Sequence, residues 1–159
     1  MSFIIRELKE EDFSNGFFET LSNLAEVGKI RNDLNLARGI LKRIGSDRNY
    51  RIIIAEDKQN RQVIGTATLL IEQKFIHNGG KAGHIEDVAT RKGYEGKGIG
   101  KKVIEELIKI ATENGCYKVI LDCNEKVIEF YEKTGFRKNA IMMRLDIYDA
   151  NFGASLLYE

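Results

Sequence analysis

Arg91-Lys92-Gly93-Tyr94-Glu95-Gly96-Lys97-Gly98-Ile99-Gly100 is the stretch on which the fold turns, because four glycines crowd into it just ahead of an apolar-periodic run. Glycines at this density clear side chains away from backbone amides that can converge on an anion, and the helix that follows adds the positive end of its dipole. That helix carries Val103, Ile104, Leu107, Ile108 and Ala111 on one face and ends at Gly115. Residues 91–102 hold Arg91, Lys92, Lys97, Lys101 and Lys102 against Glu95 alone. The full 159 residues hold 25 Lys and Arg against 24 Asp and Glu, a net charge of +1. The positive field is therefore local, which suits a phosphate group and argues against nucleic acid or an acidic membrane as partner.

Spacing narrows the phosphate ligand. A nucleoside triphosphate loop needs glycine five places before Gly100-Lys101 and Ser or Thr after the lysine, but Glu95 and Lys102 stand there. A dinucleotide fingerprint needs a third glycine three places after Gly98, where Lys101 sits, and a parallel strand order that the front half does not suggest. A glycine-rich surface turn with solvated lysines stays open as the plain alternative.

Outward from the loop, Ala82–Thr90 reads as the strand entering it and Tyr117–Asp122 as the strand after its helix. Glu125–Lys133 then reads as a helix stopped by Gly135, and Phe136–Ile147 as a last extended segment. Upstream, Tyr50–Glu56 and Gln62–Ile76 are rich in β-branched residues with a polar turn between them, and Asn78-Gly79-Gly80 marks another turn, so the front half is an antiparallel meander. Phe3–Leu8 predicts a strand. Residues 11–27 predict a helix through Phe13, Phe17, Leu21, Leu24 and Val27 with Gly28 as its stop, and Asp33–Arg43 a second helix closed by Gly45. Residues 1–147 form one domain on this reading, and the tail 148–159 has no period and stays unassigned.

Hydrophobic residues at 43% and charged residues at 31% describe a folded, soluble chain. No apolar run approaches the roughly 20 residues of a membrane span, and the amino terminus has no leader-like pattern, so a cytoplasmic address follows by default. Cys116 and Cys123 lie seven residues apart without a CxxC pair, and His77 and His84 are the two imidazoles, which fits neither a disulfide framework nor a zinc site. No metal is expected.

With Glu95-Gly96-Lys97-Gly98-Ile99-Gly100 at a strand-to-helix junction, the chain resembles the GNAT acyltransferase superfamily, whose pyrophosphate loop has the form Gln/Arg-x-x-Gly-x-Gly/Ala; Glu95 departs at the first position. The blocks Gly83-His84-Ile85-Glu86-Asp87-Val88-Ala89, Gly115-Cys116-Tyr117-Lys118-Val119-Ile120-Leu121-Asp122-Cys123 and Phe130-Tyr131-Glu132-Lys133-Thr134-Gly135-Phe136 narrow the resemblance to its glucosamine-6-phosphate N-acetyltransferases over residues 63–136. Glu19-Thr20-Leu21 and Val27-Gly28 match more faintly. The resemblance implies an α/β (α+β) GNAT fold, a central mixed, mostly antiparallel sheet flanked by helices. It also implies acetyl-CoA as co-substrate, glucosamine 6-phosphate as acceptor on the way to UDP-N-acetylglucosamine, and an intertwined homodimer with shared sites.

Acetyl transfer to an amine needs a neutral nitrogen, a polarised thioester carbonyl and a stabilised thiolate. The resemblance implies Glu86, Asp122, Val88 and Tyr131 as catalytic groups. The Val88 backbone amide would polarise the carbonyl where the strand splays, and the Tyr131 phenol, ordinarily titrating near about 10, would hydrogen-bond the departing sulfur. Cofactor contacts are expected from Val88, Gly96, Lys97, Gly98, Ile99, Gly100 and Lys101, and from Val127, Ile128, Glu129 and Tyr131. Substrate contacts are expected from Lys74, Phe75, Ile76, His77, Glu86, Asp87, Tyr117, Lys118 and Asp122, and from Arg144 if a small gap is allowed. Near Val27-Gly28 the family offers a hydroxyl to the phosphate, whereas Ala25 and Glu26 stand here.

Each residue also has a plain reading. The paired acids would be solvated or bound to lysine, Tyr131, Val127 and Ile128 core, His77 an exposed turn residue and Lys118 a solvated strand lysine. Cys123 has no adjacent histidine to activate it as an acetyl carrier, so direct transfer is expected. The rival functions are another GNAT acetyltransferase, acting on a peptide amino terminus, a polyamine or another amino sugar, and a non-catalytic acyl-CoA-binding sensor.

Overall fold

A computed structural model describes residues 2–147; the expectation for the tail 148–159 lies outside the described residues. The chain divides into two compact units, Met1–Cys123 and Asn124–Glu159.

The first unit is built on five strands, β1 (Phe3–Glu7), β2 (Tyr50–Asp57), β3 (Val63–Gln73), β4 (Lys81–Thr90) and β5 (Cys116–Ile120), in that spatial order. Pairing is antiparallel from β1 to β4 and parallel between β4 and β5. The result is the mixed, mostly antiparallel sheet flanked by helices that the sequence predicts. Parallel neighbours need a crossover, and α4 (Ile99–Glu113) supplies it between β4 and β5. Its buried stripe holds Val103, Ile104, Leu107 and Ala111 of the residues the apolar spacing marks, and Ile108 is half-buried beside them.

Strand alternation sends residues to two faces. Ala55, Gly65, Leu69 and Gly83 share the α4 face, and Gly65 is a glycine by necessity: a Cβ there would lie 2.6 Å from Ile99 Cγ2 and 3.5 Å from Ala55 Cβ. Gly65→Ala is accordingly expected to lower stability by about 1–3 kcal/mol through overpacking, as read from urea denaturation. The opposite face packs Ile54 and Val63 against Phe13, Phe17, Phe18 and Ala37, the last from α2 (Leu34–Gly45). Phe13 and Phe18 stack at 5.3 Å between centroids, and the Thr20 hydroxyl donates to the Val63 carbonyl at 2.7 Å, fastening α1 (Phe17–Leu21) to β3.

Arg6 on β1 donates to Asp12 at 2.8 and 2.7 Å and to Glu56 on β2 through Nε at 2.9 Å. Both carboxylates are fully buried, and removing buried charges from water is tolerable only with such a partner.

The structure corrects several element boundaries. Residues 11–27 are not one helix. Glu10–Phe13 is a 3₁₀ turn, Gly16 takes φ +93° and breaks the run, α1 spans one turn and Gly28–Asn32 forms a second 3₁₀ turn. Gly45 is the last residue of α2 rather than its stop. The strand expected over 62–76 ends at Gln73, whose side-chain amide donates to the Gly79 carbonyl at 2.6 Å. The single turn α3 (Ile76–Gly79) follows, with His77 at φ 53° and Asn78 at φ 56°.

In the second unit, a 3₁₀ turn at Glu125–Val127 leads into α5 (Ile128–Glu132), where a single helix over 125–133 is expected. The last extended segment expected over Phe136–Ile147 forms no strand among the described residues. Ile141 and Met143 are 91% and 92% exposed.

Candidate active site

The glycine loop delivers the backbone that a diphosphate requires. Gly96 and Gly98 adopt φ +72° and +78°, a left-handed region that disfavours a side chain, and a Cβ on either would meet nothing within 4 Å. The space in front of the loop is therefore open. Gly98 caps α4 without any side-chain hydrogen bond, so the first-turn amides, which have no intrahelical acceptor, stay available for an anion. Gly96, Lys97, Gly98 and Lys101 are exposed, whereas Ile99 is buried as the anchor that meets Gly65. Lys97 folds back, donating to the Gly93 carbonyl at 2.9 Å with its ammonium 4.7 Å from the Tyr94 ring centre.

The departure at Glu95 has a structural role. Its carboxylate accepts from the Gly93 amide at 2.6 Å and from Asn23 Nδ2 at 3.1 Å, while Asn23 also donates to the Thr90 carbonyl at 2.7 Å. Backbone amides, its own first, hold the Glu95 carboxyl below the ordinary carboxylate range. The loop is thus stapled from inside and tied to the segment after α1. The sequence reading missed Asn23, which no local pattern singles out.

Beside the loop the sheet opens. The β4–β5 ladder stops at His84 paired with Ile120, so from Ile85 onward that edge of β4 has no strand against it. The β3 register slips at the same place: Thr68 pairs with Glu86 and Thr66 with Ala89, leaving Asp87 and Val88 opposite the single residue Ala67. Asp87 takes φ 50° in this bulge. Bulges of this kind re-aim side chains.

Glu86, Asp87 and Asp122 are exposed, and none pairs with a lysine or arginine among the described residues, which removes the plain reading of a lysine-bound acid. Burial, then the charges of Asp122 and Asp87, push the Glu86 carboxyl up, while His84 pulls it down. The three do not form a metal-holding group, and no such group of three or more His, Cys, Asp or Glu occurs among the described residues.

Tyr50 joins these acids and was missing from the sequence reading. It opens β2 on the same sheet face as Ile52, Thr68 and Glu86, and with Asp87 it lines a cavity of about 350 Å³ under α1 and α2. Burial, then Asp87 and Glu86, push its phenol above the ordinary range. Alternation along β2 could have found the face but not the acids across the sheet.

A second cluster gathers the expected substrate strip. The His77 ring lies 4.3 Å from that of Tyr117, and Lys118 Nζ sits 5.6 Å from the Tyr117 ring centre. Phe75 is fully exposed. Lys74, expected at the substrate, is held by Glu72 at 2.5 Å, and Glu72 also meets His84 Nε2 at 2.8 Å.

In the second unit Tyr131 is buried, its ring edge-on to Phe130 at 4.9 Å and to Phe136 at 6.0 Å. Val127 and Glu129 are exposed and Ile128 is half-buried. Arg144 is exposed and pairs with Asp146 through Nε at 2.7 Å.

Comparison with known proteins places this geometry. Residues 5–136 match the family described as the acetyltransferase (GNAT) family. Glucosamine 6-phosphate N-acetyltransferase 1 of Dictyostelium discoideum is 39% identical over 140 residues, spanning 88% of this chain and 88% of that one. A relative from Drosophila melanogaster is 37% identical over 147 residues, and the chain spans 66% of its length. The crystal structure of glucosamine-6-phosphate N-acetyltransferase from Arabidopsis thaliana superposes with a TM-score of 0.86 at 36% identity, covering 93% of this chain and 100% of that one.

Proposed function

We propose that this chain, which belongs to the acetyltransferase (GNAT) family, transfers acetyl from acetyl-CoA directly to the amine of D-glucosamine 6-phosphate, giving N-acetylglucosamine 6-phosphate and CoA for UDP-N-acetylglucosamine synthesis. The observation that carries the reading is the trio of unpaired acids beside an opened β4 edge and an open glycine loop.

On this reading the amides of residues 96–101 hold the diphosphate, and Val127, Ile128 and Glu129 line the CoA arm. The Val88 amide polarises the thioester carbonyl. Asp87 and Asp122 hold the aminosugar. Glu86 takes the ammonium proton, a task helped by burial and the charges of Asp122 and Asp87, which make its carboxylate more basic than usual. The freed amine attacks the carbonyl carbon, the carbon–sulfur bond breaks, and the Tyr131 phenol hydrogen-bonds the departing sulfur. His77, Tyr117, Lys118 and Arg144 serve the sugar phosphate, joined by Lys74 once it leaves Glu72. Residues 1–147 act as one catalytic domain of an intertwined cytoplasmic homodimer with shared sites. The exposed apolar residues Phe75, Ile76, Ile141 and Met143 support the dimer, since such surface is ordinarily covered. Among the described residues no helix is long and apolar enough to cross a membrane.

Thiol release on mixing the protein with acetyl-CoA and glucosamine 6-phosphate tests the reading. Release with this sugar phosphate and not with peptides or polyamines supports it. Turnover confined to other amines moves the chain to another acetyltransferase specificity, and CoA binding without turnover moves it to a sensor.

A further inference from the structure

Tyr50 has a chemistry that the acceptor reading does not use. Register places it beside Leu70, which pairs with His84, while Ile52 pairs with Thr68 and Thr68 with Glu86, so Tyr50 and the acidic end of β4 share one sheet face. The cavity on that face is walled by apolar side chains such as Phe17, Leu21 and Val27, and Glu26, Tyr50, Thr66, Thr68 and Asp87 are the polar groups in its lining. The Tyr50 hydroxyl enters no hydrogen bond among the described residues. A half-buried phenol is normally satisfied by a partner. The acceptors on offer beside it are carboxylates without a cation.

Resting on the glucosamine 6-phosphate reading above, we infer that Tyr50 is a positioning residue of the acceptor site, whose hydroxyl, unbonded in the free protein, turns to donate a hydrogen bond to the Asp87 carboxylate when the aminosugar binds and holds it toward that ligand. Asp87 needs such a guide, because its backbone is turned into the left-handed region by the bulge and no lysine or arginine fixes its side chain. The phenol remains a donor at neutral pH, since burial and the neighbouring acids favour its protonated form.

A double-mutant cycle tests this. Tyr50→Phe keeps the ring in the cavity and removes only the oxygen. It is expected to raise the KM for glucosamine 6-phosphate about tenfold, the effect of one good hydrogen bond, and to leave the KM for acetyl-CoA within about twofold. Calorimetric titration of glucosamine 6-phosphate, which needs no turnover, should show the same loss in the otherwise native protein and less than about a twofold loss in an Asp87→Asn background. An unchanged KM and Kd in Tyr50→Phe overturns the inference. So does an equal loss in both backgrounds, or a fall in acetyl-CoA affinity together with the melting temperature, which would mark a purely structural tyrosine. Native protein that neither binds nor acetylates this sugar phosphate sinks the acceptor reading as well, whereas an unaltered variant of an active enzyme sinks only the role of Tyr50.

Discussion

Asp122→Asn is expected to lower kcat/KM for glucosamine 6-phosphate by about a hundredfold or more, with CoA affinity unchanged, in a steady-state thiol-release assay paired with calorimetry. The side chain stands two residues beyond β5, just past the point where the parallel ladder stops, and its charge is among the causes that raise Glu86. Asparagine keeps the shape and removes that charge. Two consequences separate. The aminosugar loses an attraction for its ammonium, which lowers the rate, and Glu86 ionises more readily. The acid limb of the pH–rate profile should therefore move to lower pH even as the maximum falls. An unaltered profile together with unaltered kinetics would remove Asp122 from the site.

Gly98→Val is expected to weaken CoA binding by about a hundredfold or more, measured as the calorimetric Kd. At φ +78° a β-branched side chain is strained, by about 1–2 kcal/mol on backbone grounds alone. The space a Cβ would enter contains no protein atom within 4 Å, so obstruction falls on the bound diphosphate. Gly98→Ala should show a smaller loss in the same direction. A valine variant that binds CoA as tightly as the native protein would place the diphosphate elsewhere.

The loop, α4 and the strands around it were legible because each depends on neighbours in sequence: the glycines precede the helix they cap, and the α4 stripe repeats every three or four residues. Residues 11–27 show the limit. Phe13, Phe17 and Leu21 keep helical spacing across Gly16, yet Gly16 turns left-handed and Leu24 ends 51% exposed. The apolar residues there follow the sheet they cover rather than one helix axis. The turn at Asn78-Gly79-Gly80 is legible, but the strand expected to run to Ile76 stops at Gln73, because a left-handed His77-Asn78 pair beside the Gln73 side chain leaves no trace in β propensity.

The acids of β4 and the loop glycines stand out in the sequence because they are contiguous. Tyr50 and Asn23 were not, since what makes them notable is the register of β2, β3 and β4 in one case and a side chain reaching Thr90 and Glu95 in the other. Lys74 was read by position alone, without the competing Glu72.

The bend at Asp87 also constrains how this protein can drift. A backbone angle of φ 50° excludes most side chains before any chemistry is considered, and asparagine is the natural tolerated neighbour of aspartate there. Exchange of aspartate for asparagine is thus the change of one atom group that this bend accommodates most readily, and it removes a negative charge while leaving the backbone as it is.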